Sequence, residues 1–337
     1  MNSMKNKYIL CVNDGETNSA GSKAKDDITK FLVQDSYTEI TVKDVHMPKV
    51  KKLLYGKRMI NKALEKVNDG VFIFQYPLYS RYFSNLIVSN LKKRNVKKVC
   101  IIHDIESLRF FKNEESGIGF EKDFFNQFDY LIVHNSKMGD WLKNNGIETK
   151  QIILDIFDYD NPQKLLEPTL NQGIIYAGNL KKAEFLKNIK STVNINVFGI
   201  NPADRYPSNV IYKGVRTPEE LPRYLEGSFG LVWDGDSTRT CTGMYGEYLK
   251  YNNPHKVSLY LSSGIPVIVW AESAMAKYIR DNNLGLVVDS LENIDEIIRN
   301  ITEEQYEIMK NNVKEIAKYL RQGGALKHAL NEINRIG

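Results

Sequence analysis

The sequence predicts an α/β protein built from two Rossmann-like domains that face each other across a cleft. Short apolar segments of strand length alternate with helix-length segments, which is typical of a doubly wound parallel sheet. This alternation stops at a connection rich in Pro and Asp, residues 157–172, and then starts again. We therefore place a first domain at 1–157, a second at 173–301 and a C-terminal helical segment at 302–337.

The first domain begins with a strand and continues as strands separated by helices. The predicted strands are "KYILCV", "GVFIFQYP", "KKVCIIHDI" and "FDYLIVHNS". The predicted helices are "AKDDITKFLVQD", a segment around "NLIVSNLKKRN", and "SKMGDWLKNNG". Ligands of open parallel sheets bind beyond the carboxyl ends of the strands, so the loops after these strands are the candidate binding loops.

The second domain repeats the pattern with six apolar segments. They are "GIIYAGN", "NINVFGI", "VIYKGV", "FGLVWDGD", "IPVIVW" and "LGLVVD". The segment from about Thr302 is charged and helical, and its apolar residues Ile308, Val313, Ile316 and Leu320 need a surface to cover them. We expect this segment to pack back onto the first domain.

Composition and charge limit the classes of function that this protein can have. A formal net charge of +5 over 337 residues is too small to indicate nucleic acid binding, although it fits an anionic substrate or peripheral membrane association. No apolar run reaches the roughly 18 residues that a membrane span needs, and the N-terminus lacks the apolar segment of a secretory signal. The three cysteines lack paired spacing, so we expect a reduced, cytoplasmic protein.

The stretch "YNNPHKVSLYLSSGIPVIVW", residues 251–270, gives the sharpest functional signal. Pro254 suits the first turn of a helix, and Gly264 supplies its stop before a buried strand. The helix start is then displayed, with His255 and Lys256 in its first turn. Such a start has free N–H groups and positive dipole character, and an exposed Lys256 adds a full charge. The stretch outlines an anion site, although one more capped helix is an equally good interpretation.

Two other strand ends carry residues that fit the same site. In "YAGNLKKAEFL", Asn179 offers a side-chain amide and Lys182 a cation near a helix start. In "WDGDS", Asp234 and Asp236 form an Asp-x-Asp pair, which in some sugar transferases holds a divalent cation. Asp-Gly-Asp is also a common turn. We favour contact of Asp234 with substrate, or a polar loop cap, over a metal site.

In the first domain, His103 and Asp104 end the buried strand of "CIIHDIESL". A His-Asp pair at the carboxyl edge of a strand can take a proton from an acceptor hydroxyl, and we favour Asp104 as that base with His103 as the alternate. A histidine bonded within the wall and an aspartate that caps a helix would look the same. The nearby "FQYPLYSRYF" supplies aromatic faces that suit a sugar ring, or a core.

Several widespread motifs are missing from the sequence. The loop of residues 13–23 contains neither Gly-x-Gly-x-x-Gly nor a Gly-Lys-Ser/Thr phosphate loop. A dinucleotide oxidoreductase and an NTPase are therefore disfavoured. The sequence also lacks a Gly-x-Ser-x-Gly elbow, His-Glu-x-x-His and a cysteine metal cluster.

Taken together, these segments resemble the two-domain, GT-B type glycosyltransferases that use sugar nucleotides. The chain is especially similar to the bacterial family of the glucosyltransferase that acts on GlcNAc-modified serine-rich-repeat adhesins, and to related galactofuranosyltransferases. The resemblance covers almost the whole chain and rests on "FQYP", "IHDIESL", "YAGNL", "FGLVWDGDS" and, most specifically, "NNPHKVSLYLSSGIPVIV".

The resemblance implies that the second domain binds a UDP-sugar. Because cations already meet the diphosphate and Asp234 and Asp236 come late in the second sheet, we expect no divalent metal or other cofactor. Lys256 and the neighbouring groups of His255, Val257 and Ser258 would hold the diphosphate, with Asn179, Lys182 and Asp234 nearby. The loop around Ser19 and Gly21 would close over the donor, and the first domain would present the acceptor. Family members also imply a homo-oligomer. The Glu-x7-Glu of many retaining enzymes of this fold is missing, so the stereochemistry stays open.

The predicted function is transfer of a hexose, best guess glucose, from a UDP-sugar to a sugar hydroxyl. The expected acceptor is GlcNAc on a Ser/Thr-rich surface adhesin. Galactofuranosyl or other hexosyl transfer in surface-polysaccharide assembly is the nearest alternative. A UDP-sugar epimerase and a non-catalytic UDP-sugar-binding partner subunit are the alternatives from other classes.

Overall fold

The computed structural model describes residues 6–13, 20–43, 45, 47–109 and 115–336. The chain divides into two compact units. The first runs as far as Leu154 and takes in the end of the chain from Leu326, and the second is Asp155–Ala325. In the described residues, no helix is long and apolar enough to cross a membrane.

The first unit contains a six-stranded sheet with the order β2-β1-β3-β4-β5-β6, and all its strand pairs are parallel. Its strands are β1 (Lys7–Asn13), β2 (Thr38–Lys43), β3 (Asp69–Tyr76), β4 (Asn95–Ile102), β5 (Tyr130–Val133) and β6 (Lys150–Ile153). Its helices are α1 (Ala20–Gln34), α2 (Lys49–Ala63), α3 (Arg81–Leu91), α4 (Glu106–Arg109), α5 (Glu115–Phe125) and α6 (Ser136–Asn144). The central strands β3 and β5 are almost wholly buried and β4 is buried along its second half, as expected for a sheet covered on both faces.

The second unit contains another six-stranded parallel sheet, with the order β12-β11-β10-β7-β8-β9. Its strands are β7 (Ile174–Ala177), β8 (Ile195–Phe198), β9 (Val210–Tyr212), β10 (Phe229–Val232), β11 (Val267–Trp270) and β12 (Gly285–Val288). Its helices are α7 (Gly243–Tyr248), α8 (His255–Ser262), α9 (Ala276–Asp281), α10 (Ile294–Arg299) and α11 (Glu303–Leu320), with 3₁₀ turns at Leu180–Lys182, Glu184–Lys187 and Leu221–Tyr224. This is the strand order of dinucleotide-binding Rossmann domains.

Residues 302–337 do not all belong to the first unit, which corrects the expectation that the whole segment packs on the first domain. A capping box of Thr302 and Gln305 starts α11, and α11 stays in the second unit. Its Tyr306 donates a hydrogen bond to the Ser228 carbonyl at 2.7 Å and packs on Phe229, so this buried face covers the second sheet. Ile308, predicted to be covered, is 46% exposed. Only the last helix, α12 (Gly324–Ile336), belongs to the first unit, from Leu326 onwards.

Candidate active site

In the second unit the strand order reverses between β7 and β10, which makes their carboxyl ends the expected binding point of the sheet. β7 is followed by Gly178 and Asn179, and β10 by Trp233 and Asp234. The candidate residues of "YAGN" and "WDGDS" therefore lie on neighbouring strands. The fold brings together two loops that the sequence places more than 50 residues apart.

Three side chains at this point form what we call the Lys256 cluster: Tyr176, Asp234 and Lys256. The Lys256 Nζ lies 2.8 Å from Asp234 Oδ1 and 3.1 Å from the Tyr176 hydroxyl, and it also lies 4.4 Å from the centre of the Tyr176 ring. Tyr176 donates to Asp234 Oδ1 at 3.0 Å. Burial, together with the Asp234 charge, raises the pKa of Tyr176 well above its usual value, so the hydroxyl stays a donor.

The structure corrects the expectation that Lys256 is an exposed lysine. Its side chain is only 14% exposed and that of Asp234 only 10%. The lysine is held as half of a largely buried ion pair at the start of α8. A cation fixed in this way is already placed for an anion, because its orientation costs nothing further when a ligand arrives.

Tyr260, one turn further along α8, fixes the start of that helix against the sheet. Its hydroxyl accepts a hydrogen bond from the Ala177 N–H at 2.7 Å. Its ring lies directly over Gly230 of β10, where a Cβ atom would stand 2.2 Å from the ring. Glycine is therefore required at position 230, since any side chain would push α8, and Lys256 with it, away from the strand ends.

The neighbours of Lys256 on α8 serve packing. His255 stacks on Tyr159 with ring centres 4.9 Å apart. The Val257 side chain is buried and its N–H donates to the Pro254 carbonyl at 2.9 Å. The Ser258 hydroxyl, also buried, donates to the Phe157 carbonyl at 2.6 Å. The Val257 N–H and the Ser258 hydroxyl thus hold the helix in place, and the predicted contacts of these residues with the UDP-sugar stay predictions.

Asn179 and Lys182 lie in the loop after β7, which is tied to the loop after β10. The Lys182 carbonyl accepts from the Gly235 N–H at 2.7 Å, while the Lys182 Nζ lies 4.5 Å above the Tyr245 ring. The Asn179 side-chain oxygen accepts from the Lys181 N–H and from Asn201. The Asn179 side-chain oxygen therefore stabilises its own loop, and the side-chain NH₂ group remains available to contact the UDP-sugar.

The Asp-x-Asp pair is divided between two sets of partners. Asp234 belongs to the Lys256 cluster, whereas Asp236 bonds Thr242, both through its carboxylate and through its N–H. Across the part of the chain that the structure describes, no group of three or more His, Cys, Asp or Glu side chains is spaced to hold a metal ion. Asp234 is thus the ion-pair partner of Lys256, an arrangement that the sequence did not predict, and its contact with substrate stays a prediction.

In the first unit, Gln75 near the end of β3 fixes the chemical form of His103. The Gln75 amide nitrogen donates to the Lys25 carbonyl at 3.3 Å and lies 3.1 Å from the Thr29 hydroxyl. A carbonyl can only accept, so the Gln75 oxygen must face the other way, 2.9 Å from His103 Nε2. Nε2 therefore carries a hydrogen, and the lone pair of a neutral His103 ring is on Nδ1.

Asp104 is held within its own loop. Its carboxylate pairs with Arg109 at 2.5 Å, and the two side chains are 24% and 18% exposed. Arg109 ends the short helix α4. The positions of His103 and Asp104 agree with both interpretations offered by the sequence, a catalytic pair and a polar wall.

Glu121, which the sequence reasoning missed, anchors this loop from α5. The buried carboxylate accepts from the N–H groups of Glu106 and Ser107 at 2.8 and 3.2 Å, from the Ser107 hydroxyl, and from the Tyr76 hydroxyl at 2.8 Å. Burial raises the pKa of Glu121, and the four donors oppose that rise. A glutamate in the middle of a helical segment gives no sequence signal for such a role.

Two residues predicted to contact the UDP-sugar, Ser19 and Gly21, follow β1 in the sequence. Ser19 lies outside the described residues, and Gly21 lies in the first turn of α1. Further along α1, Lys25 donates to the Pro77 carbonyl and lies 4.8 Å above the ring of Tyr79. α1 is thus joined to the loop after β3, next to Gln75.

Both halves of the chain match one protein family. Residues 6–156 match the N-terminal domain of glucosyltransferase 3-like proteins, and residues 174–333 match the C-terminal domain. The chain is 32% identical over 323 residues to the beta-1,6-galactofuranosyltransferase WbbI of Escherichia coli (strain K12), which covers 93% of this chain and 94% of that protein. Glucosyltransferase 3 of Streptococcus gordonii is 30% identical over 313 residues, covering 91% and 92%.

Among solved structures, the sucrose-phosphate synthase from Thermosynechococcus elongatus has the same fold. The TM-score is 0.66 at 13% sequence identity, with 98% of each chain covered. The resemblance drawn from the sequence is confirmed: the chain belongs to the glucosyltransferase 3-like family of GT-B glycosyltransferases.

Proposed function

We propose that this glycosyltransferase moves a hexose, with glucose as the first candidate, from a UDP-sugar to a sugar hydroxyl, and that the acceptor is GlcNAc on a Ser/Thr-rich surface adhesin. The enzyme class follows from the family, whose relatives are named for glucosyl and galactofuranosyl transfer. The observation that carries the donor assignment is the Lys256 cluster at the strand reversal of the second sheet.

On the donor side, Lys256 would neutralise the diphosphate. Negative charge grows on this group as the sugar departs, so a fixed cation stabilises the transition state more than the bound substrate. Asp234 and Tyr176 hold the ammonium group in place beforehand. The Asn179 amide and Lys182 would add contacts from the loop after β7. No divalent metal has a part in this scheme.

On the acceptor side, one residue of the His103–Asp104 pair would take the hydroxyl proton. We now favour His103, the alternate on sequence grounds, for two reasons. Gln75 leaves the lone pair of a neutral His103 on Nδ1, a buried atom that a small movement of the loop must uncover for the acceptor, and Asp104 is engaged with Arg109. A histidine ordinarily titrates near neutrality, where a general base works best. Asp104 would then position the loop that carries His103.

Galactofuranosyl transfer in surface-polysaccharide assembly is the second candidate. The observation in its favour is the 32% identity to the E. coli galactofuranosyltransferase. In a third candidate function, the protein is a non-catalytic subunit that binds a UDP-sugar at the same site but does not catalyse transfer. The cytoplasmic location and the homo-oligomer expected from the sequence remain part of the proposal.

The deciding experiment is a donor screen. UDP-glucose, UDP-galactose, UDP-GlcNAc and UDP-galactofuranose would each be incubated with a GlcNAc-bearing peptide and, separately, with free glycans, and the products weighed by mass spectrometry. We expect one added hexose from UDP-glucose, also after exhaustive chelation of divalent metals. Transfer from UDP-galactofuranose alone would select the second candidate. UDP binding without any product would select the non-catalytic subunit.

A further inference from the structure

The helix α2 of the first unit has an outer face that nothing in the unit covers. Val50, Leu53 and Leu54 are 68–70% exposed, and Tyr55 is 61% exposed. Every other exposed large apolar side chain of the described residues is at most 50% exposed. Val50, Leu53 and Leu54 have the i, i+3, i+4 spacing that puts them on one side of a helix. We call these four residues the α2 patch.

The α2 patch is an outer surface because its four side chains are exposed, whereas α2 packs through residues that lie further along the helix. Gly56 and Ile60 are the buried residues of α2. Gly56 lies so close to α3 that a Cβ atom would stand 2.9 Å from the Tyr82 ring. The helix is thus firmly seated, and its exposed leucines are a fixed feature of the folded surface.

Positive charge surrounds the α2 patch. The sequence of α2, "KVKKLLYGKRMINKA", contains five lysines and one arginine and no acidic residue. These charges are Lys49, Lys51, Lys52, Lys57, Arg58 and Lys62. They exceed the formal net charge of the whole chain, which is +5. The elements packed against α2 add Arg81 of α3 and Lys43 of β2 against a single acid, Glu39 of β2.

The positive charge of α2 limits which partners the α2 patch could bind. A second copy of the chain, paired through the same face, would bring two sets of cations together without acids to neutralise them. A neutral apolar surface would leave the cations without a role. A bilayer with anionic headgroups satisfies both features, because leucine and tyrosine side chains enter the interface while lysine and arginine meet the phosphates.

We propose that the outer face of α2 is a docking surface for an anionic lipid bilayer. Val50, Leu53 and Leu54 would enter the headgroup region with Tyr55 at their flank. The five exposed cations of α2, which exclude Lys52 because it is bonded to Ser80, would bind lipid phosphates. The helix lies in the plane of the membrane and does not cross it. The net charge already suggested peripheral membrane association, and the proposal assigns that association to α2. The proposal does not depend on the donor and acceptor assigned above.

The test is sedimentation of the full chain with lipid vesicles, one set containing phosphatidylglycerol and one made of phosphatidylcholine alone. Two variants address the two parts of the surface: Leu53→Gln with Leu54→Gln, and Lys57→Gln with Arg58→Gln. The matched control, Ile308→Gln with Lys318→Gln, makes the same changes at exposed positions of α11. All substituted side chains are exposed, so the variants should fold, which circular dichroism checks.

We expect the unaltered chain to bind the anionic vesicles and not the neutral ones, and to be released by 1 M salt, where electrostatic attraction reaches only about 3 Å. Each removed cation should weaken binding about fivefold, and removal of the two leucines should weaken it about tenfold or more. The control should bind normally.

Three results would overturn the proposal. The unaltered chain could fail to bind anionic vesicles, or the leucine variant could bind as well as the control. Alternatively, the leucine variant could lose self-association in sedimentation velocity while the unaltered chain ignores both kinds of vesicle. That last result would assign the patch to a second copy of the chain.

Discussion

Each unit places its candidate residues beyond the carboxyl edge of a six-stranded parallel sheet, but the two edges carry different groups. In the second unit, a lysine is held by an aspartate and a tyrosine, which prepares a site for negative charge. In the first unit, a glutamine fixes the tautomer of a histidine and a buried glutamate anchors its loop, which suits proton transfer. The parallel sheet sets the place of a site, and the side chains at its edge set the chemistry.

The largest expected effect concerns the acceptor-side pair. His103→Gln should lower the transfer rate about 10²–10⁴-fold while UDP binding stays normal, because glutamine cannot take up the proton. Asp104→Asn should lower the rate less, since it only weakens the ion pair with Arg109. Steady-state rates and UDP titrations on both variants check this. The reverse ranking would return the base to Asp104, and two fully active variants would remove the pair from catalysis.

The Lys256 cluster should matter to stability as well as to binding. Because both partners are largely buried, Lys256→Met leaves an uncompensated Asp234 charge and should cost the second unit about 3–5 kcal/mol. Combining Lys256→Met with Asp234→Asn removes both charges and should restore much of that loss. Urea unfolding of the single and double variants measures the coupling. Additive losses would show that the pair contributes nothing beyond its separate members.

Lowering the pH should destabilise the first unit more than the second. The imidazole of His134 in the first unit is buried and bonded to the Ile102 carbonyl, and burial lowers its pKa to about 4. In the unfolded chain His134 takes up a proton near pH 6.5, whereas in the folded unit it does so only near pH 4. The free energy of unfolding of the first unit therefore keeps its full value above pH 6.5 and decreases as the pH falls towards 4. The loss amounts to about 3 kcal/mol.

Hydrogen exchange of the β4 and β5 amides at decreasing pH measures this loss. His134→Gln should remove most of the pH dependence, whereas His328→Gln at an exposed site of α12 should keep it. The histidine of the second unit, His255, is only partly buried, so residues 155–325 contain no fully buried imidazole like that of His134. Equal responses in both units would contradict this contrast.

The smallest expected effect comes from Glu121. Glu121→Gln places an amide group among four hydrogen-bond donors, which should cost the first unit about 1–3 kcal/mol and loosen the loop of His103. We expect a lower kcat with unchanged UDP affinity. Glu148→Gln, at an exposed site in the same unit, is the control. A weakened UDP affinity would show that the loop has some other role.

The sequence predicted all six strands of the second sheet, because nearly all are apolar along their whole length. It missed β2, "TEITVK", and β6, "KQII", because polar residues leave neither strand a continuous apolar run. The missed α2 is mostly exposed, and only Gly56 and Ile60 of its residues are buried. Strands buried on both faces are the easily predicted part of such a fold.

The candidate site was predicted residue by residue but without its partners. Lys256 was found from its place at a helix start, whereas its partners stand 22 and 80 residues earlier in the chain. Tyr176 looked like one more core residue of a strand, and the tautomer of His103 depends on Gln75, 28 residues away. Such pairings arise from the tertiary fold, and no local pattern contains them.

The central claim is that the Lys256 cluster binds the donor diphosphate, and isothermal titration of UDP tests it most directly. Lys256→Met should weaken UDP binding roughly 10- to 100-fold, the loss expected for one charge-assisted hydrogen bond. The control is Lys277→Met, which removes another lysine of the same unit that is 83% exposed and pairs with Asp281. We predict that the control binds UDP like the unaltered chain. Normal UDP affinity in folded Lys256→Met protein would contradict the assignment of the donor site.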